Sequence, residues 1–353
     1  METSRRPRLK DIAAKVGVST MLVSIALRGM PGVSERTRQK IQKCAKKLGY
    51  QPDPALSALA DYRRRIRPTS SFAQLAYVTS YPHKDALTPA WAFSNEFFIG
   101  AQKRGLEFGY EVIHYPLNEG GCTLRKASSI LFNRGIKGLL IAPLPVENGH
   151  LDLTWKYFSA VALGTSLIRP RLDYAAFDHH DGMQVVLEKL RLKGYHRIGL
   201  SLLRHRNARQ RSAPLDAYLG DQYRHSPKTP LPPLVLEKFS APEFWSWFNA
   251  YTPDAIITDI DSEILGIIEK RGLSVPKDLG VACVGRFFTS NTAISAVTQN
   301  LQAIGSAAVD RLHTNLLRNA YGIPKYSHGT LVHGHWEEGS TLRKHRPARH
   351  QPS

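Results

Sequence analysis

The chain has 353 residues, a length that fits two or three domains, and its 42% hydrophobic and 22% charged content is that of a globular protein with a sizeable core. No run of 18 apolar residues predicts a membrane span. The charged start Met1–Lys10 lacks the apolar stretch of a secretory signal, and Cys44, Cys122 and Cys283 form no CxxC pair, so reduced thiols in a cytoplasmic protein are expected, with no metal and no cofactor. The formal net charge of +19 is uneven: residues 1–67 hold 16 Lys/Arg against 5 Asp/Glu, the footprint of a polyanion partner, although charge alone leaves a merely solvated face open.

Residues 8–50 read as three short helices. Leu9, Ile12, Ala13 and Val16 share one face, and Gly17 permits a tight turn. Ser19 is a fitting cap for a second helix, through about Leu27, that turns Leu22, Val23 and Ala26 inward. Ser34 caps a third, with Glu35 in its first turn, Ile41, Ala45 and Leu48 as its buried stripe, and Gly49 as its stop. The prolines of Tyr50–Pro54 fix an extended entry into a short helix over 54–60, which runs into a basic linker ending at Pro68. From Phe72 short apolar runs alternate with amphipathic stretches. Strands are expected at 74–79, 111–115, 138–142, 160–164, 197–202, 255–258 and 280–285. Helices are expected at 95–108, 123–133, 181–193, 242–249, 261–271 and 301–318. Such alternation implies α/β layers with parallel sheets.

The first two helices and the glycine between them have a helix-turn-helix layout. The run Leu9-Lys-Asp-Ile-Ala-Ala-Lys-Val-Gly-Val-Ser-Thr-Met-Leu-Val-Ser-Ile-Ala-Leu-Arg-Gly29, with Val33–Arg38 and Lys47–Asp53, resembles the headpiece of the lactose-repressor (LacI/GalR) family of transcription regulators. The resemblance implies a second helix whose N-terminal residues meet base edges in the major groove. Thr20 and Met21 would read bases, with Ile25 one turn on. Many relatives carry at that last position an arginine that contacts guanine; Ile25 offers only an apolar contact, such as a thymine methyl, or plain core packing. Ser19, Ser24, Arg28, Ser34, Thr37 and Arg38 are expected on phosphates, each with an ordinary surface role as the alternative. Residues 51–68 resemble the family's hinge helix and linker. Leu59 falls where relatives wedge a leucine into the minor groove, with packing on the core as its alternative. Arg63, Arg64, Arg65 and Arg67 depart from the family's usual neutral linker.

Phe177–Gly182, Lys193–Leu200, Pro253–Thr258 and Arg271–Gly285 resemble the family's effector domain, which has the periplasmic-binding-protein fold of two α/β subdomains. The expected layout is a headpiece at 1–50, hinge and linker at 51–68, a core at 69–340 and a disordered basic tail at 341–353. The core would divide into an N-subdomain (70–170 and 299–325) and a C-subdomain (171–298 and 326–340). The resemblance implies an effector between the subdomains, a sugar or related metabolite. Arg211 and Phe177 stand at ligand-binding positions of relatives, Asp259 and Asp261 follow a strand, and Trp91 and Phe93 are candidates for the opposite wall. Where the family usually has an aromatic residue followed by Asp, this chain has Arg286-Phe287-Phe288. Arg286 beside Arg211 would suit an anionic ligand, or mark a degenerate pocket.

No G-x-x-x-x-G-K-[ST], H-E-x-x-H or G-x-S-x-G motif speaks for an enzyme. His179-His180-Asp181 and His333-Gly-His335 lack a second ligand pair and read as surface or structural histidines. The expected function is a homodimeric regulator, a repressor in the first instance, that binds an inverted-repeat operator in double-stranded DNA and answers to a small effector. Control of the core by a protein partner, or a solute-binding protein without catalysis, are the alternatives.

Overall fold

The computed structural model describes residues 7, 9–27, 33–50, 73–80, 92–117, 122–225, 229–286 and 293–344. Helices α1 (Leu9–Val16), α2 (Thr20–Leu27) and α3 (Glu35–Lys47) come first. Helices of 8 and 13 residues are marginal alone in water, so a shared core must hold them. That core is Ile12, Ala13, Val23, Ala26, Ile41 and Ala45, all buried, with Leu9, Val16 and Leu48 packed around it. At the end of α1 the N–H groups of Gly17 and Val18 both return to the Ala13 carbonyl, at 2.9 and 3.1 Å. Gly17 adopts φ +75°, a conformation a side chain would strain.

Beyond residue 72 two six-stranded sheets form among the described residues. The first contains β1 (Ala73–Thr79), β2 (Tyr110–Pro116), β3 (Gly138–Ile141), β5 (Ser159–Leu163), β7 (Asp173–Phe177) and β13 (Gly329–Val332), in the order β13-β7-β5-β3-β1-β2. All its pairings are parallel. The second contains β8 (Ile198–Leu203), β9 (Leu234–Leu236), β10 (Ala255–Thr258), β11 (Gly280–Arg286), β12 (Ser295–Thr298) and β14 (His335–Glu337), in the order β14-β12-β11-β10-β8-β9. It is parallel except where β14 runs against β12. Two short strands, β4 (Gly149–His150) and β6 (Leu167–Arg169), pair apart from both. Helices α4 (Ala92–Glu107), α5 (Leu124–Asn133), α6 (His179–Leu192), α7 (Arg204–Arg209), α8 (Ala213–His225), α9 (Ala241–Tyr251), α10 (Asp261–Lys270) and α11 (Leu301–Leu317) accompany them. This is the α/β architecture of parallel sheets that the alternating pattern predicts.

The chain passes between the sheets three times: from β7 into α6, from β12 into α11, and from β13 to β14. Two of these passages correct the expected limits. β7 pairs with β5 and β13 with β7, so the first sheet keeps the chain until about 178 and again until 332, beyond the expected changeovers at 171 and 326. The buried carboxylate of Asp173 fastens this outer part of the sheet. It accepts from Arg311 Nε at 2.7 Å, Asn315 Nδ2 at 2.9 Å and the His328 N–H at 2.8 Å, tying β7 to α11 and β13. Burial alone would raise its pKa; the donors from Asn315, His328 and Arg311 outweigh it and hold the carboxyl below its ordinary value.

α4 and α11 approach closely at glycines: a Cβ on Gly305 would lie 2.1 Å from the Phe97 carbonyl oxygen. The expected tail also starts late. Thr341 exchanges bonds with Val281 at 3.1 and 2.7 Å and Leu342 is buried, so residues 341–344 belong to the core; 345–353 lie outside the described residues. No helix among the described residues is long and apolar enough to cross a membrane.

Candidate nucleic-acid interface and inter-sheet cleft

The first turn of α2 is presented on the headpiece surface. Ser19 caps it, its Oγ accepting from the Leu22 N–H at 3.1 Å, and Ser19 and Thr20 are both exposed. Val23 and Ala26 bury the opposite side of the helix. Met21, Ser24 and Ile25 lie in α2, but their side chains fall outside the described residues, as do Arg28 and Leu59 altogether. Ser34 caps α3: its Oγ accepts from the Thr37 N–H at 3.3 Å and shares a hydrogen bond with the Thr37 hydroxyl at 2.8 Å.

Arg38 is placed differently from the phosphate contact expected of it. Its Nη1 donates to the Ala26 carbonyl at 3.1 Å, and Glu35 lies 3.7 Å from its Nε. The last carbonyls of a helix lack partners within it, and a guanidinium near that negative end is favourable, so Arg38 joins α3 to the end of α2. The exposed cations of α3 are Arg36, Lys40, Lys43, Lys46 and Lys47.

The second candidate site is a cavity of about 550 Å³ between the carboxyl ends of the two sheets. Parallel strands make such a site, because their loops all emerge on the same side. The first sheet supplies Pro143, Thr165 and Ser166. The second supplies Arg206, Arg209 and Gln210 after β8, Asp259 and Glu263 after β10, and the end of β11 through Arg286. His179, Gln299 and Phe97 complete the lining.

Of the expected ligand residues, Asp259 and Arg286 line this cavity, and both are engaged. Asp259 Oδ1 accepts from the Leu203 N–H at 3.1 Å, and its carbonyl accepts from Arg206. Arg286 is buried, donates to the Ile294 carbonyl at 2.6 Å and pairs with Glu337, so it braces β11 against β14.

Arg211 does not line the cavity. Arg211 and Ser212 both take left-handed conformations (φ 53° and 59°), which turn the side chain across to the other sheet's connections. There it donates to the Thr165 and Leu167 carbonyls at 3.3 and 3.4 Å and lies over the Tyr174 ring. With the Thr165 hydroxyl, which donates to the Arg209 carbonyl at 2.9 Å, it bridges the two lips of the cleft.

Phe177 is likewise core. Its ring fills space left by Gly182 and Gly334, where a Cβ would meet it at 2.7 and 2.6 Å. The side chains of Phe93 and Asp261, and all of Trp91, lie outside the described residues.

His179, expected to be a surface or structural histidine, is buried at the cavity instead. It opens α6 at the first passage between the sheets, lines the cavity and stands edge-on to Phe177 at 4.8 Å. Burial pushes its pKa down to about 4, against the opposing pull of Asp178, so the ring is neutral near pH 7. Among the described residues its buried Nδ1 has no hydrogen-bond partner. Thr165, Ser166, Arg206, Arg209 and Gln210 were missed. The available signal was position: Thr165, Ser166 and Arg206 lie within four residues of the end of an expected strand, whereas Arg209 and Gln210 lie seven and eight residues past one.

Residues 8–53 match the family described as bacterial regulatory proteins, lacI family, and residues 187–341 match the periplasmic binding protein-like domain. The HTH-type transcriptional regulator GntR of Pseudomonas aeruginosa is 45% identical over 58 residues, which is 16% of this chain and only 17% of the length of that protein. The HTH-type transcriptional repressor PurR of Haemophilus influenzae is 22% identical over 337 residues, 90% of this chain and 94% of that protein. Among solved structures, the lac repressor dimer bound to operator and the anti-inducer ONPF superposes with a TM-score of 0.57. It is 19% identical and covers 96% of this chain and 100% of that one, a likeness of fold.

Proposed function

We propose, from the premise that the chain belongs to the lacI family of bacterial regulatory proteins, that it is a cytoplasmic, sequence-specific DNA-binding transcriptional repressor rather than an enzyme. The observation that carries this reading is the exposed first turn of α2, capped by Ser19, on a three-helix body joined in one chain to a cleft between two parallel sheets. A helix end presented in this way fits the major groove. Thr20, Met21 and Ile25 face base edges, Ser19, Ser24, Arg28, Ser34 and Thr37 take phosphates, and Leu59 enters the minor groove. Two copies pair through their cores and read an inverted repeat.

A small effector occupies the cleft. Asp259, Arg206 and Arg209 supply charge to it, and the neutral ring of His179 supplies a hydrogen bond through Nδ1. Closure of the lips about the effector alters the spacing of the two headpieces, a coupling of about 1–3 kcal/mol.

Capture of fragmented genomic DNA by the purified protein, followed by sequencing, tests the DNA reading: a short inverted repeat is expected. No enriched motif from folded, dimeric protein overturns it. Thermal shifts with a panel of sugars and related metabolites test the effector, since a ligand of the folded state alone raises the melting temperature.

A further inference from the structure

All six strands of the first sheet are parallel, so their amino ends lie along one edge, opposite the cleft. The turns at that edge are rich in cations. Arg134 and Lys137 precede β3, Lys156 precedes β5, Arg171 precedes β7, Arg318 follows α11 and Lys325 precedes β13; all are exposed. Among the described residues none of these six forms a salt bridge.

The acids at the same edge are mostly engaged. Glu107 pairs with Arg104, Glu111 accepts from Gln74 at 2.8 Å, and Asp173 is buried in its own network; exposed Asp152 is left. Two of the lysines lie over exposed tyrosine rings: Lys156 Nζ is 5.1 Å from Tyr157 and Lys325 Nζ is 5.3 Å from Tyr326. Each ring holds its ammonium group close to the surface and adds a hydroxyl donor beside it.

Position gives this charge a direction. Ala73, the first residue of β1, lies on the same edge, and β1 is the strand into which the chain runs from the headpiece, 23 residues after Tyr50. The headpiece is therefore tethered at the basic edge and not at the cleft.

We propose that this edge is a second contact for duplex DNA, a sequence-independent phosphate-binding surface that holds backbone beside the stretch read by the headpieces. The inference rests on the DNA-binding reading above. Unpaired exposed cations need break no ion pair to meet phosphates, and binding releases the counterions condensed on the duplex. A tether at this edge raises the local concentration of the DNA already held by the headpiece, which makes duplex the polyanion this surface meets first.

The test compares the full chain with the quadruple variant K137Q/K156Q/R318Q/K325Q, binding a mixed-sequence duplex of about 60 base pairs over about 50 to 200 mM salt. The variant is expected to show a shallower salt dependence, by about 0.9 in log–log slope for each phosphate that it no longer neutralises, and affinity lower by about 10- to 100-fold at the upper end. Circular dichroism and sedimentation should match the parent. If the quadruple variant misfolds, R134Q/R171Q tests the same edge with about half the change in slope. A folded variant with the parent's slope and affinity overturns the proposal and leaves the headpiece reading standing. A parent chain that binds no duplex at low salt overturns both. Loss of binding to phosphatidylserine vesicles with duplex binding unchanged assigns the edge to a lipid surface and overturns the DNA contact.

Discussion

The headpiece and the cleft are assembled in opposite ways. The headpiece draws its surface from contiguous chain: Ser19 and Thr20 are adjacent, and the core behind them is built within residues 9–50. The cleft draws Thr165, His179, Arg206, Asp259 and Arg286 from a span of more than 100 residues and brings them together only because two parallel sheets end side by side. A local surface can be damaged without its neighbour noticing, whereas a surface made by topology depends on everything that sets the sheets. All five tryptophans, Trp91, Trp155, Trp245, Trp247 and Trp336, lie beyond residue 72, so tryptophan fluorescence follows the core and duplex binding follows the headpiece.

The strongest test of that contrast is Asp173→Ala. It leaves Arg311 and Asn315 without their buried acceptor and should cost the core about 3 kcal/mol in urea unfolding followed by fluorescence; the exposure of part of Arg311 keeps the figure near the lower end for buried pairs. Its pH dependence has a definite sign. The folded carboxyl titrates below the unfolded one, so its contribution is complete above about pH 4 and is lost as pH falls through the folded value. The variant should lack that acid-side loss.

Ile41→Ala empties the centre of the headpiece core. A cost of about 2–4 kcal/mol is expected, enough to abolish duplex binding in a gel-shift assay while the fluorescence transition of the core stays in place. A core transition that moved with it would break the contrast. Gly305→Ala drives a methyl into the Phe97 carbonyl and should lower the core's urea midpoint by the equivalent of about 1–3 kcal/mol, with α11 forced off α4. Ser34→Ala removes the cap of α3 and should cost the headpiece about 1 kcal/mol, visible as a lower thermal midpoint of its helical signal.

The same contrast explains what was legible in the sequence. Ser19, Gly17, Ser34 and the buried faces of α1 and α3 follow from spacing and capping, because a helix declares its inner face every three or four residues. In the core, β1, β2, β3, β5, β8, β10 and β11 were visible as apolar runs. β7, β12 and β13 were not: Asp173-Tyr-Ala-Ala-Phe177 and Gly329-Thr-Leu-Val332 are short and broken by polar or small residues, and each becomes a strand by pairing at the end of a sheet already formed. That omission moved both changeovers between the sheets.

In the cleft, Asp259 lies at the lining, as its place after a strand suggests, but position did not reveal that Arg211 turns away through two left-handed residues, nor that the neighbouring Arg206 and Arg209 take the lining instead. Arg38 teaches the same lesson within the headpiece, where the nearest unsatisfied carbonyl claimed a charge expected on DNA.

Phe177 and the glycines around it have a mechanical consequence. The ring sits where the backbone passes from one sheet to the other, and Gly182, Gly285 and Gly334 press on it from three separate stretches of chain. It has no polar atom and so imposes no directional bond. The directional bonds across the cleft are instead at the lips, from Arg211 to Thr165 and Leu167 and from Thr165 to Arg209. Apolar packing at the passage and directional bonding at the rim are thus carried by different residues, so a substitution at the rim can loosen the latch while the filling around Phe177 stays in place.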